Sequence, residues 1–247
     1  METAKTPESL YVISAGIGLN LASSNAPSYS LTVTRGTADC VLDKLIPRVK
    51  EEQWWRSLTK SLGQPNPFHE MAKSNPESLI CIACSSIYLS MIQSELIKLP
   101  IDCRNRMRLF GPQDIQRFDP IVRSLIMPYN HSFDGPDSPI PGTKSDLAQR
   151  ALQHFVLNIL PINASTSNTE EHAEMVKSVL ARLRPPVRQI RQKKSDTDII
   201  ATIQKLYDLS GGNSRCMLRL LRDQYGIACE QGRFSKLFNS VKENIRK

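Results

Sequence analysis

Leu79-Ile80-Cys81-Ile82-Ala83-Cys84 is an unbroken apolar run, followed at once by Ser85-Ser86 and a helical pattern over residues 87–99. A short apolar run that ends in hydroxyl residues at a helix start reads as a buried strand feeding a helix. Residues 10–14 form a similar β-rich run, which ends in Ala15-Gly16-Ile17-Gly18. Residues 29–34 are expected as a second, edge-like strand, and residues 106–110 as another, stopped by Gly111-Pro112. Residues 37–62 are helical in pattern, with an interruption at Pro47 and a Trp54-Trp55 pair. Strands alternating with helices predict an α/β fold with a mainly parallel sheet. In such sheets ligands gather beyond the C-terminal strand ends, which directs attention to residues 14–29, 84–86 and 110–111.

The chain has 247 residues, 40% of them hydrophobic and 23% charged, enough to bury a core. No apolar run reaches the length of a membrane span, and residues 1–9 lack the layout of a signal peptide. A cytoplasmic protein with reduced cysteines is the expectation. Cys81 and Cys84 have C-x-x-C spacing, but on a strand those positions point to opposite faces. The four histidines have no ligand spacing, so no metal and no cofactor is expected.

The net charge is +8, and it is unevenly placed. Residues 182–247 hold 15 Lys/Arg and 6 Asp/Glu, a net of +9; residues 1–181 carry 17 and 18, a net of −1. Concentrated positive charge suggests a polyanion met by one end, most simply DNA; the plainer reading is a solvated tail. Residues 182–194 are basic and broken by two prolines, a linker. After it, Ser195-Asp196 starts a helix, Gly211-Gly212-Asn213 stops it and Ser214 can cap a second, which Gly226 ends. A third helix begins near Glu230. Arg215 and Arg219 lie off the apolar stripe of the second, and Arg233 and Lys236 off that of the third. Three short helices with a glycine turn resemble a helix-turn-helix or winged-helix module, with the third helix presented to a groove. The expected division is therefore an α/β catalytic domain (1–181), a basic linker (182–194) and a DNA-binding module (195–247).

The loop from Pro128 to Lys144 carries His131, Asp134 and Asp137 between prolines, just before a helix starting near Ser145-Asp146. Proline stiffens such a loop, as a preorganised site needs; the alternative is an Asx-turn cluster that caps the helix. Leu147, Leu152, Phe155, Val156 and Ile159 are expected on the apolar side of that helix, with Arg150 opposite.

Residues 11–19, with Ile13-Ser14-Ala15, Gly18 and Leu19, are followed by Pro27, Tyr29 and Thr32. They resemble an I-S-A-x-x-G-L…P-x-Y-x-x-T pattern shared by YaaA-like proteins and uracil-DNA-glycosylase-like α/β domains. With the 134–142 loop and the basic end, the chain resembles a small anti-phage DNA glycosylase. Proteins of that kind excise glucosylated hydroxymethylcytosine from T-even phage DNA and leave abasic sites. The resemblance implies a flipped base, a carboxylate or activated water at the sugar, and donors for the leaving base. Asp137 and Asp134 are the expected carboxylates, with Asn25 as a further catalytic residue. Ser14, Tyr29 and His131 would meet the base, and Ser85, Lys144 and Arg150 the phosphates. The first motif departs from several uracil-DNA glycosylases in having no carboxylate over residues 10–38. A DNA-binding regulator whose α/β domain senses a nucleotide is the alternative.

Overall fold

The structure is a computed structural model and describes residues 10–162, 168–186 and 190–246. The described chain is mixed α/β, about 53% helical, with ten α-helices and six short strands. It divides into two compact units, residues 1–186 and 187–247. Among the described residues no helix is long and apolar enough to cross a membrane.

In the first unit β1 (Tyr11–Ser14) and β2 (Gly18–Leu21) form an antiparallel hairpin. A 3-10 turn (Val41–Asp43) leads to α1 (Glu51–Ser61) and α2 (Pro67–Ser74). Then come β3 (Ile80–Ala83), α3 (Ser86–Lys98), α4 (Ile101–Asn105) and β4 (Met107–Phe110). Next is α5 (Pro120–Leu125), started by Asp119, whose side chain accepts from the Ile121 N–H at 2.8 Å. It is followed by α6 (Leu147–His154), continued as a π turn over Phe155–Ile159, and by α7 (Thr169–Leu180). Asn168 and Glu171 cap α7 reciprocally, each side chain accepting from the other's backbone N–H.

The expected strand over 80–83 and the helix after it are present, and β4 pairs with β3 in parallel. The sheet is smaller than expected. It is split into two-stranded pieces, and the β1–β2 piece is antiparallel. Residues 29–34 make no strand. Thr32 alone bridges to Cys40, and a strand that the sequence did not suggest, β2, takes in Asn20. Residues 37–62 yield only the Val41–Asp43 turn and α1, with Pro47 between them.

β3 has apolar side chains on both faces and serves two cores. Ile80 and Ile82 join Leu89, Ile92, Leu96, Trp55 and Phe68. Leu79, Cys81 and Ala83 pack on a second core of Phe110, Tyr129, Phe133, Phe155 and Val176. This double burial is why the stretch reads as a continuous apolar run. Charged groups are folded into both cores. Glu95 is 8% exposed and accepts from Trp55 Nε1 at 2.9 Å and from the Phe68 N–H at 2.7 Å. Arg108 in β4 is 1% exposed and donates through Nε to His172 Nδ1 at 2.9 Å.

In the second unit β5 (Gln192–Lys193) precedes α8 (Asp196–Leu206), α9 (Ser214–Arg219), a π turn over Leu220–Gln224, β6 (Ile227–Ala228) and α10 (Gln231–Arg246). Ile199, Ile203, Leu206, Met217, Leu221, Phe234, Phe238 and Val241 form its own core. Ser195 caps α8 as expected, but Asn213, not Ser214, caps α9, because its Oδ1 reaches the N–H groups of Arg215 and Cys216. Gly211 and Gly212 take positive φ of 57° and 66°, which ends α8. The last part of the expected linker is ordered, since Gln192 and Lys193 pair in parallel with Ile227 and Ala228.

Candidate functional site

The hairpin turn gathers part of the resemblance motif. Ser14 is 5% exposed, and its Oγ accepts the N–H groups of Gly16 at 3.0 Å and Ile17 at 3.2 Å. The same oxygen hydrogen-bonds the Tyr29 hydroxyl. Trp54 Nε1 donates to the Ala15 carbonyl at 2.9 Å, and the Asn20 amide to the Ile17 carbonyl. A Cβ on Gly16 would stand 2.8 Å from the Tyr29 ring, so glycine lets the aromatic close over the turn. Ser14 and Tyr29, both expected at the base, are thus brought together, with Tyr29 41% exposed. Asn25 is exposed on the following loop and makes no hydrogen bond among the described residues.

The 128–144 loop does something other than present two free carboxylates. Arg150 lies inside it, 5% exposed. All five of its N–H donors are engaged. Nε donates to Asp146 Oδ1 at 2.6 Å, Nη1 to the carbonyls of Phe133 at 3.0 Å and Ile140 at 3.1 Å, and Nη2 to Asp134 Oδ1 at 2.5 Å and the Thr143 carbonyl at 2.7 Å. Burial alone would lower the Arg150 pKa, but its bonds to Asp134 and Asp146 outweigh this and raise it. Arg150 is therefore corrected from a phosphate contact to the hub of its own loop, and Val156, 43% exposed, takes the outward place instead. A helix-face reading places Arg150 outside because it prices a guanidinium as exposed unless partners are known.

Asp134 is committed to that hub, its other oxygen 3.4 Å from His131 Nδ1. His131 accordingly belongs to the loop cluster and not to the Ser14–Tyr29 pair. Asp137 faces outward and is gripped by Arg184, whose Nε and Nη2 donate at 2.7 and 2.6 Å. Arg184's side-chain and backbone hydrogen bonds hold the Asp137 carboxyl down at a pKa of about 2. Gly135 shows how tightly the same segment crosses the loop, for a Cβ there would stand 1.8 Å from the Arg184 carbonyl oxygen. The Asx-turn alternative describes these contacts, with Asn130 capping the 3-10 turn His131–Asp134 and Asp146 accepting from the Thr143 N–H at 2.8 Å.

Ser85 is exposed at the start of α3 and makes no side-chain cap, while Lys144 is exposed and without an ion-pair partner among the described residues. At the C-terminal ends of β3 and β4 the backbones are in contact, a Cβ at Gly111 falling 2.3 Å from the Cys84 carbonyl oxygen. Sequence reasoning did not find one concave feature of this unit. A cavity of about 490 Å³ is lined by Tyr11 and Ile13 of β1, Cys81 and Ala83 of β3, and Tyr88 and Gln149. Burial drives the Cys81 and Cys84 thiols up to about 12, so neither is a ready thiolate.

In the second unit the cations fall into two groups. Arg233 is bound to Asp196 and to the Lys194 carbonyl, Arg222 to the Cys229 carbonyl, and Arg191 to Asp223. Arg233, expected at DNA, instead ties the start of α10 to the start of α8. Arg215, Arg219 and Lys236 are exposed, and their side chains make no hydrogen bond or ion pair among the described residues. Searches of protein-family models, of curated proteins and of solved structures found no match to the chain.

Proposed function

We propose that this chain acts on DNA, its second unit holding the nucleic acid and its first unit excising a modified base as a DNA glycosylase. The observation that carries the reading is the set of unpaired, exposed cations Arg215, Arg219 and Lys236 within the segment that holds the protein's excess charge of +9. α9 carries the two arginines and α10 the lysine, and both share one core with α8, a frame that suits a helix-turn-helix reading. Rigid placement favours phosphate contacts over a merely solvated tail. In the first unit Ser14, Tyr29 and Asn25 are the residues that the resemblance assigns to the base and its chemistry, and the first two are hydrogen-bonded to each other. The chemistry is assigned to that loop, because Asp134 and Asp137 already have guanidinium partners. The leaving base is an anion that needs donors, and the sugar cation needs a polarised water, which an Asn can orient.

Incubation of the purified protein with glucosylated phage DNA and with plain DNA, followed by alkali, tests the reading. Strand breaks in the glucosylated DNA alone support the glycosylase of the stated specificity. Tight binding without breaks supports the alternative, a DNA-binding regulator. Absence of both removes DNA as the partner.

A further inference from the structure

Among the described residues the first unit has two strand edges that no other strand covers, and both border the 490 Å³ cavity. In β3 the N–H groups of Ile80 and Cys84 donate to the carbonyls of Arg106 and Phe110. With Ile80 opposite Met107 and Ile82 opposite Leu109, the even-numbered residues spend their backbone groups on β4. Backbone direction alternates along a strand, so the N–H and C=O groups of Cys81 and Ala83 point to the other edge. The hairpin shows the same on its side. Ala22 donates to the Leu10 carbonyl, so in the antiparallel register the bonded pairs continue at Val12 and Ser14, and Tyr11 and Ile13 turn their groups outward. Unpaired backbone groups are strong, obligatory hydrogen-bonding sites.

The remaining lining sets the chemistry of the occupant. Among the described residues no charged side chain lines the cavity, which disfavours a phosphate or a carboxylate. Its walls are apolar and partly aromatic, with Phe68, Tyr11 and Tyr88, and its rim carries the exposed amide of Gln149. Each edge offers two residues, spaced about 7 Å apart along the strand. The N–H and C=O of one such residue suit the adjacent donor and acceptor of a heterocycle, whereas an added peptide strand typically uses about five residues. We propose that this cavity binds an uncharged nitrogen heterocycle, a nucleobase, whose donor and acceptor edge is read by the backbone of Cys81 and Ala83 and of Tyr11 and Ile13. The proposal rests on the reading that the first unit handles a base, and makes this cavity a second site, for a free base, apart from the Ser14–Tyr29 turn where that reading puts the reacting one.

The test uses the full chain and free adenine, cytosine and 5-hydroxymethylcytosine, with amide NMR shifts as the readout. Expected is saturable one-to-one binding of at least one base, with the largest shifts at the amides of Tyr11, Ile13, Cys81 and Ala83. Dimethylating the exocyclic amine of the bound base removes its donors and should weaken binding about tenfold, the worth of one hydrogen bond. Ala83→Pro deletes an N–H that faces the cavity and not the β4 ladder, a position where proline is tolerated, and should weaken binding similarly. If that variant does not fold, the dimethylated bases decide the matter alone. The proposal is overturned if no base binds saturably, if the shifts cluster elsewhere, or if the dimethylated forms bind equally well. It is also overturned if an uncharged tetrapeptide titrates the same amides and the bases do not. No DNA is present, so base binding without excision sinks only the glycosylase reading, and excision without free-base binding sinks only the cavity.

Discussion

Replacing Arg150 by methionine should cost this protein about 3–5 kcal/mol, the usual penalty for leaving one partner of a buried ion pair alone. The Asp134 side chain is 8% exposed and would lose its guanidinium, while Phe133, Ile140 and Thr143 would each lose a charged donor at their carbonyls. Methionine keeps much of the apolar stem, so the loss falls on the polar head. Against a total stability of about 5–15 kcal/mol this is large. Urea denaturation, followed by circular dichroism, reads it as a fall in midpoint. The double variant Arg150→Met/Asp134→Leu should recover part of the loss, because it removes the stranded carboxylate though not the three bereft carbonyls. A loss below about 1 kcal/mol in the single variant, or no recovery in the double, would refute the hub and reopen Arg150 as a surface contact.

Gly111→Ala should destabilise by several kcal/mol in the same assay, because φ is +121° and the new Cβ would meet the Cys84 carbonyl oxygen; a neutral result would mean the strand ends can part. Burial lowers the pKa of both His154 and His172, so the native state binds fewer protons than the unfolded one; stability should be full above about pH 6.5 and fall as the pH drops below it. A His172→Gln variant with an unchanged pH slope would contradict that. Charge reversal at Arg215 and Arg219 should lower the salt slope of DNA binding by about 1 for each, whereas Arg233→Gln should act on the thermal stability of the second unit. Asp137→Asn should leave base excision unchanged and act only through its grip on Arg184; loss of excision with the fold intact would return the chemistry to that loop.

What the sequence disclosed followed from local chemistry. The 80–83 strand, the helix after it and the three final helices are legible because apolar period and cap residues coincide there. The second strand at 18–21 was missed because Gly18 and Asn20 carry no β signal; its partner β1 makes it a strand. Residues 29–34 failed in the opposite sense, since β-prone side chains make no sheet without a neighbour. The partners of Asp134, Asp137 and Arg233 lie 16, 47 and 37 residues away, beyond any local pattern. The cavity too depends on two edges that sequence order separates.

The strand that serves two cores raises a question of alignment during folding. With apolar side chains on both faces, hydrophobic pattern alone does not forbid β3 and β4 from pairing one residue out of step. Arg108 forbids it. It stands opposite Cys81, on the face where His172 Nδ1 waits for its Nε–H. A one-residue slip would carry the guanidinium to the face of Ile80 and Ile82, among Leu89, Ile92 and Leu96, where the buried Glu95 carboxylate is already taken by Trp55 and the Phe68 N–H. One buried charge thus works as an index mark for the central strand pair, much as a lone polar residue fixes alignment in a coiled coil. Arg108→Leu would keep the volume buried and remove the mark, trading a single alignment for a mixture of two.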